Sequence, residues 1–147
     1  MNPERHLKQH SQLQANITRD FVSHFAPTGK LIYLQDGARQ TLLFDREIFA
    51  SIGVPLDSFS GLPDTILFDE PKNLLFLIQA ITIRYPTPIS NERHQTLKEQ
   101  FEKCTADQVY VNAFLDFPTF RNFIDDLSLE SEIWIAETPS HLVRMRK

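Results

Sequence analysis

The sequence predicts a mixed α/β fold in which one sheet is covered by helices on its faces. Two turn signals, Asp36-Gly37 and the run Asp-Glu-Pro-Lys-Asn at 69–73, each lie between apolar runs and predict two β-hairpins. In the second half, segments with helical spacing alternate with strand-like segments. The 147 residues are 41% hydrophobic and 23% charged, which is typical of one globular domain, so we expect a single domain over 1–147.

The first half begins with a helix over about residues 2–24. A sparse apolar stripe that includes Leu13, Ile17 and Phe21 has helical spacing and ends before a proline. Residues 30–44 form the first predicted hairpin. A short helix over about 45–52 follows, and Gly53 ends it.

The second half begins with the hairpin LPDTILFDEPKNLLFLIQAIT, residues 62–82. A helix over 93–104 follows, with Ser90 or Asn91 as its cap and Cys104 on its buried side. Further elements are a strand over 107–116, a helix over 117–127, a strand over 132–137 and a last strand near 141–145. We assign four aromatic residues to the core: Phe114, Phe117, Phe120 and Phe123.

Charge and apolar patterning exclude several classes of protein. The formal net charge of −4 argues against DNA binding by bulk charge alone. The longest apolar run, residues 74–83, is interrupted by Gln79 and is about half the ~20 residues of a membrane-spanning helix. No secretory signal pattern is present, and a single cysteine cannot form an internal disulfide, so we expect a reducing cytoplasm.

Familiar catalytic motifs are absent. One cysteine and five scattered histidines do not make a zinc site of any usual spacing, and no P-loop, dinucleotide-binding or hydrolase-elbow motif is present. His6 and His10 are one helical turn apart near the N-terminus, and we interpret them as two solvated side chains.

Asp64 and Gln79 are the polar residues that the second hairpin brings together. A turn centred between Pro71 and Lys72 pairs residues whose numbers sum to 143, and 64 and 79 satisfy that sum. Directly opposed residues have Cβ atoms ~4.5–5.5 Å apart, close enough to share a small cation. From the residues alone, a strand-end aspartate and a hydrogen-bonded core glutamine are favoured over the remnant of a Mg²⁺ site.

Two long strings resemble a known family. GVPLDSFSGLPDTILFDEPKNLLFLIQAIT and FEKCTADQVYVNAFLDFPTFRNFIDDLSLESEIWIAETPSHLV are similar to the C-terminal domain of the BsuBI/PstI restriction endonucleases, members of the PD-(D/E)XK nuclease class. With HFAPTGKLIYLQDGARQT upstream, the resemblance spans nearly all of residues 24–143. It implies a restriction-endonuclease-like mixed sheet flanked by helices.

The resemblance also implies a catalytic site. Pro63-Asp64 matches the PD element, and Asp64 and Gln79 take the positions of the catalytic metal ligands, with Mg²⁺ as the cofactor for hydrolysis of a DNA phosphodiester. The family ordinarily has glutamate at position 79, so the site is degenerate. An amide oxygen brings no charge, which predicts weak or lost metal binding and places activity in doubt.

Two more residues are candidates near this site. Glu47, on the short helix before the PD strand, is a possible third metal ligand that would supply the missing negative charge, although a surface acid is the simpler interpretation. Arg84, at the end of the second strand, is a candidate DNA-phosphate contact, with a solvated arginine as the alternative.

The function predicted from the resemblance is that of a restriction-endonuclease-like DNA-processing domain, with Mg²⁺-dependent cleavage if the site is active. The alternative is a catalytically inactive nuclease-fold subunit acting in DNA binding or protein assembly, which the acidic balance and the short N-terminal region favour. We expect double-stranded DNA as the partner and a homodimer or larger assembly, with no membrane association; a failure to bind duplex DNA would favour the alternative of an assembly subunit.

Overall fold

The structure, a computed structural model, describes residues 3–55 and 61–145. Its helices are α1 Pro3–Asn16, α2 Val22–Phe25, α3 Arg46–Ser51, α4 Asn91–Gln100 and α5 Phe117–Phe123, with a π-helical segment at Ile17–Phe21 and a 3₁₀ turn at Ile124–Asp126. Its strands are β1 Lys30–Gln35, β2 Thr41–Phe44, β3 Thr65–Asp69, β4 Leu74–Ile81, β5 Asp107–Phe114, β6 Glu132–Ile135 and β7 Val143–Arg144.

The described strands form one mixed sheet in the order β2-β1-β3-β4-β5-β6-β7. β1, β2, β3 and β4 pair antiparallel, β4 pairs parallel with β5 and β5 with β6, and β7 returns antiparallel along β6. Parallel neighbours need a crossover connection, which α4 and α5 provide. The predicted mixed α/β class is confirmed.

Both predicted hairpins are present, and the second has the predicted register. Thr65 lies opposite Ile78 and Ile66 opposite Leu77, so the register continued by one residue places position 64 opposite 79. Asn73 closes the turn between β3 and β4 with φ of 54°, a left-handed conformation that asparagine tolerates better than most residues.

The core lies on both faces of the sheet, and β4 contributes to both. Leu75 and Leu77 pack on one face with helix residues such as Leu97, whereas Phe76 and Ile78 pack on the other. Alternate residues of a strand point to opposite faces, so a strand covered on both sides is apolar throughout. This arrangement accounts for the run LLFLI.

The N-terminal helical segment covers one of these faces. Leu13, Ile17 and Phe21 are all fully buried against the sheet, and Phe21 packs edge-on against Trp134. Full burial of one such side chain contributes roughly 1.5–3 kcal/mol. The predicted helix over 2–24 is therefore confirmed in its extent over the described residues, although it is interrupted by the π-helical segment. Among the described residues, no helix is long and apolar enough to cross a membrane.

Two core assignments need correction. Phe117 is 41% exposed, because it is the first residue of α5 and, unlike Phe120 and Phe123, does not join the cluster around Phe114. The helix is also shorter than predicted, since the chain tightens into a 3₁₀ turn after Phe123. Cys104 is only partly buried, because α4 ends at Gln100 and the cysteine lies in the following loop. Phe114 is fully buried, and Phe120 and Phe123 pack partly buried beside it.

Candidate active site

Asp64 is a buried carboxylate at the start of the second hairpin, immediately before β3. Its side chain is 6% exposed, and both of its oxygens are engaged. Oδ2 accepts from His10 Nε2 at 2.8 Å and from Gln79 Nε2 at 3.1 Å. Oδ1 accepts from Thr65 Oγ1 at 3.0 Å and from the Ala80 amide at 3.2 Å. An ionised carboxylate has about four acceptor positions, so these donors fill them all.

Gln79 faces Asp64 as the register predicts, and its amide orientation follows from its neighbours. Its Nε2 also donates to the carbonyl oxygen of Ala80 at 3.2 Å, while its Oε1 accepts from Arg93 at 2.9 Å. The reversed amide would place an oxygen against two acceptors and an NH₂ against a guanidinium. Gln79 therefore presents donors to Asp64 and an acceptor to Arg93.

Arg93 is a site residue that the sequence analysis missed. Ser90 caps α4, as predicted, because its hydroxyl accepts from the Arg93 amide at 3.2 Å. Arg93 therefore lies in the first turn of the helix. The guanidinium donates to Gln79, to the Thr87 carbonyl at 2.7 Å and to the Gly61 carbonyl at 3.2 Å. Burial lowers the pKa of Arg93, and the nearby Asp64 carboxylate opposes that shift.

The prediction that His10 is solvated is wrong, because the side chain is 2% exposed and contacts Asp64. His10 precedes Leu13 by three residues and Ile17 by seven, which places it on the buried face of α1. That spacing is the signal that the sequence offers for its burial. Its Nδ1 is buried and has no hydrogen-bond partner in the described part of the chain.

These residues border a cavity of about 610 Å³ that is open to solvent. Tyr85 forms one wall and contacts the His10 ring edge-on, with 5.3 Å between ring centroids. Gly37 packs closely here, since a Cβ at that position would lie 3.0 Å from the Tyr85 ring. The β1–β2 turn, helix α1 and the segment after β4 thus meet at Asp64.

The structure brings Arg84 to this cavity but not Glu47. Arg84 is exposed and lines the rim. Glu47 is exposed on α3 and does not border the cavity; it lies two residues before the buried Phe49 and therefore on the opposite face of the helix. The idea that Glu47 supplies a third metal ligand is accordingly not supported by its position.

The donor set does not fit the Mg²⁺ ion that the resemblance implies. Mg²⁺ requires oxygen ligands with free lone pairs, but the oxygens of Asp64 are all engaged by donors and Gln79 directs an NH₂ group toward them. Within residues 3–55 and 61–145, no group of three or more His, Cys, Asp or Glu side chains is placed to hold a metal ion. Asp64 is held here by protein donors instead.

Comparison with known proteins assigns the family. The model of the BsuBI/PstI restriction endonuclease domain matches residues 5–147. The chain belongs to this family. The type II restriction enzyme BsuBI of Bacillus subtilis is 34% identical over 135 residues, covering 92% of this chain and 42% of that protein. AplI of Arthrospira platensis is 27% identical over 135 residues, covering 87% of this chain and 41% of that enzyme.

The fold of the BsuBI/PstI domain is shared with a solved structure. The SdaI restriction endonuclease superimposes with a TM-score of 0.86 at 31% sequence identity, covering 94% of this chain and 43% of that one. The predicted family and the restriction-endonuclease-like sheet flanked by helices are therefore confirmed. The chain spans less than half the length of each of these relatives.

Proposed function

We propose that this chain is a restriction-endonuclease-type DNA-processing domain whose ligand is duplex DNA. The observation that carries the proposal is the match to the restriction endonuclease domain over residues 5–147. The geometry supports it as well, because Asp64 lies in an open cavity whose border includes Arg84 and Arg93. Arginine is a common contact to DNA phosphates.

Cleavage by this domain is weak or absent, and Gln79 is the reason. Hydrolysis in the nuclease class needs negatively charged ligands for its metal ion, whereas Gln79 is neutral and donates to the one buried carboxylate of the site. The catalytic roles of Asp64 and Gln79, and Mg²⁺ as cofactor, are therefore part of this proposal as the remains of an ancestral site.

The test combines DNA binding and DNA cleavage. We expect a fluorescent duplex to bind with an affinity that falls steeply as salt rises, because phosphate contacts release counterions. We expect little or no nicking of a supercoiled plasmid in Mg²⁺ or Mn²⁺, and Asp64→Asn should not change that result. Absence of duplex binding at low salt, with and without divalent ions, would refute the proposal; robust plasmid cleavage that Asp64→Asn abolishes would refute the loss of activity.

A second candidate function is that of a catalytically inactive assembly subunit. It is favoured by the edge strand β2, on which Leu42 is 57% exposed and Leu43 39% exposed. Exposed apolar side chains on an unpaired sheet edge are typical of interaction surfaces. This function predicts a stable homodimer or larger assembly without DNA, which light scattering would detect, and a monomer that binds DNA would exclude it.

A further inference from the structure

The charges that border the Asp64 cavity suit an anion better than a metal ion. Its charged lining residues are Arg39, Arg84, Arg93, Asp36 and Asp64, which gives three positive and two negative charges, a sum of +1. Both carboxylates are already engaged, since Asp64 accepts four hydrogen bonds and Asp36 accepts from the Gln40 amide at 2.8 Å. The lining therefore presents a net positive charge to an incoming ligand.

Arg93 is the cation at the centre of this arrangement. The acceptors that hold it, two backbone carbonyls and the Gln79 amide oxygen, are all neutral. Among the described residues, no carboxylate lies within ion-pair distance of Arg93. A partly buried guanidinium without a direct anionic partner is unusual, because a buried charge is normally compensated by a counter-ion.

The guanidinium also has donors to spare. It carries five N–H groups, and its contacts with the described residues use three of them, which leaves Nε–H and one Nη1–H. The three acceptors hold the guanidinium plane in place, so a ligand that binds to it does not have to order this side chain. A fixed guanidinium with free donors is suited to a phosphate oxygen.

We propose that Arg93 is a DNA-phosphate contact that operates without a metal ion, with Gln79 as the residue that holds it in position. Gln79 supplies an acceptor without supplying a charge, so Arg93 stays available to an external anion; a glutamate would neutralise it. This inference rests on the proposed function, because the phosphate is that of duplex DNA. Arg84 at the rim of the same cavity extends the cationic surface along which the backbone would lie.

The experiment measures binding of a short fluorescent duplex in EDTA at several salt concentrations. Arg93→Gln should weaken binding about tenfold and reduce the slope of log affinity against log salt by about one. Arg121→Gln is the matched control, because Arg121 is exposed on α5 and does not border the cavity. Gln79→Glu should also weaken binding in EDTA while leaving Arg93 in place, which keeps the test decisive if Arg93→Gln fails to fold.

Each outcome separates this inference from the proposed function. If the parent does not bind duplex DNA under any condition, both fail. If the parent binds only when Mg²⁺ is added, the proposed function stands and the metal-free contact is overturned. Equal binding by the Arg93→Gln and Arg121→Gln variants also overturns the inference, as does a Gln79→Glu variant that binds DNA in EDTA as tightly as the parent.

Discussion

Gln79→Glu is the substitution that most directly tests the proposal that this hairpin derives from a metal site. It keeps the shape of the side chain and replaces the Nε2 donor, 3.1 Å from Asp64 Oδ2, by an oxygen. Two like charges at that separation repel by about 5 kcal/mol at an effective dielectric of about 20, and an ion pair of the new carboxylate with Arg93 offsets a similar amount. The net change without metal is then the loss of the two hydrogen bonds that Nε2 donates, to Asp64 and to the Ala80 carbonyl, about 1–3 kcal/mol of destabilisation.

A divalent ion changes the sign of this effect. Two carboxylates facing each other across the hairpin form a pair of charged oxygen ligands, so the variant should bind Mg²⁺ more tightly than the parent does. A ligand at about ten times its dissociation constant stabilises the folded state by about 1.4 kcal/mol. For a domain of this size the melting temperature should rise by roughly 3–5 °C.

The assay is a melting curve with and without Mg²⁺ for the parent, Gln79→Glu and a control, Gln95→Glu. Gln95 is exposed on α4 and does not border the cavity, so its substitution adds the same charge elsewhere. We expect a Mg²⁺-dependent rise only for Gln79→Glu. If that variant responds no more than the parent, position 79 is not at a metal site, and the assignment of Asp64 fails with it. If metal binds but plasmid DNA stays intact, features other than Gln79 prevent cleavage.

Three further predictions concern buried polar groups. His10→Ala should lower the melting temperature by roughly 4–8 °C, because about 2 kcal/mol is lost when a buried carboxylate loses a donor; an unchanged melting temperature would show that the His10–Asp64 contact contributes nothing. Burial lowers the pKa of His94, so the unfolded chain binds its proton first and stability should fall as the pH drops below about 6.5. His94→Asn should flatten that melting profile, and the exposed control His141→Gln should not. Asn112→Ala should cost about 2–4 kcal/mol in urea unfolding, because it leaves the buried amide of Ile89 without its acceptor and removes the donor to the Ile89 carbonyl; a cost below about 1 kcal/mol would mean that water replaces the side chain.

The part of the site that the sequence predicts depends on local geometry. A turn at a proline fixes the register of the two strands that flank it, and the register fixes which side chains face each other. Asp64 and Gln79 are only fifteen residues apart, so their pairing follows from counting. The sheet order and the mixed pairing do not follow in the same way, because strand neighbours such as β1 and β3 are chosen by packing of distant segments.

His10 and Arg93 escape prediction for two different physical reasons. His10 lies 54 residues from Asp64, and only the docking of α1 on the sheet brings the two together. The sequence predicts a solvent-exposed side chain for Arg93, because an arginine in the first turn of a helix normally points to solvent. Its burial depends on the carbonyls of Gly61 and Thr87, which come from irregular segments that no periodicity describes.

The π-helical segment at Ile17–Phe21 links helix winding to the chemistry of the cavity. A π turn amounts to one residue inserted into an α-helix, and each residue turns an α-helix by about 100°. Removal of one residue from this segment would restore regular winding and rotate the preceding turns by that angle, which would carry His10 away from Asp64. An insertion or deletion in this segment would thus remove the His10 donor from Asp64 without changing any residue that borders the cavity. The length of this helix therefore helps to set which charged and polar groups surround the Asp64 carboxylate.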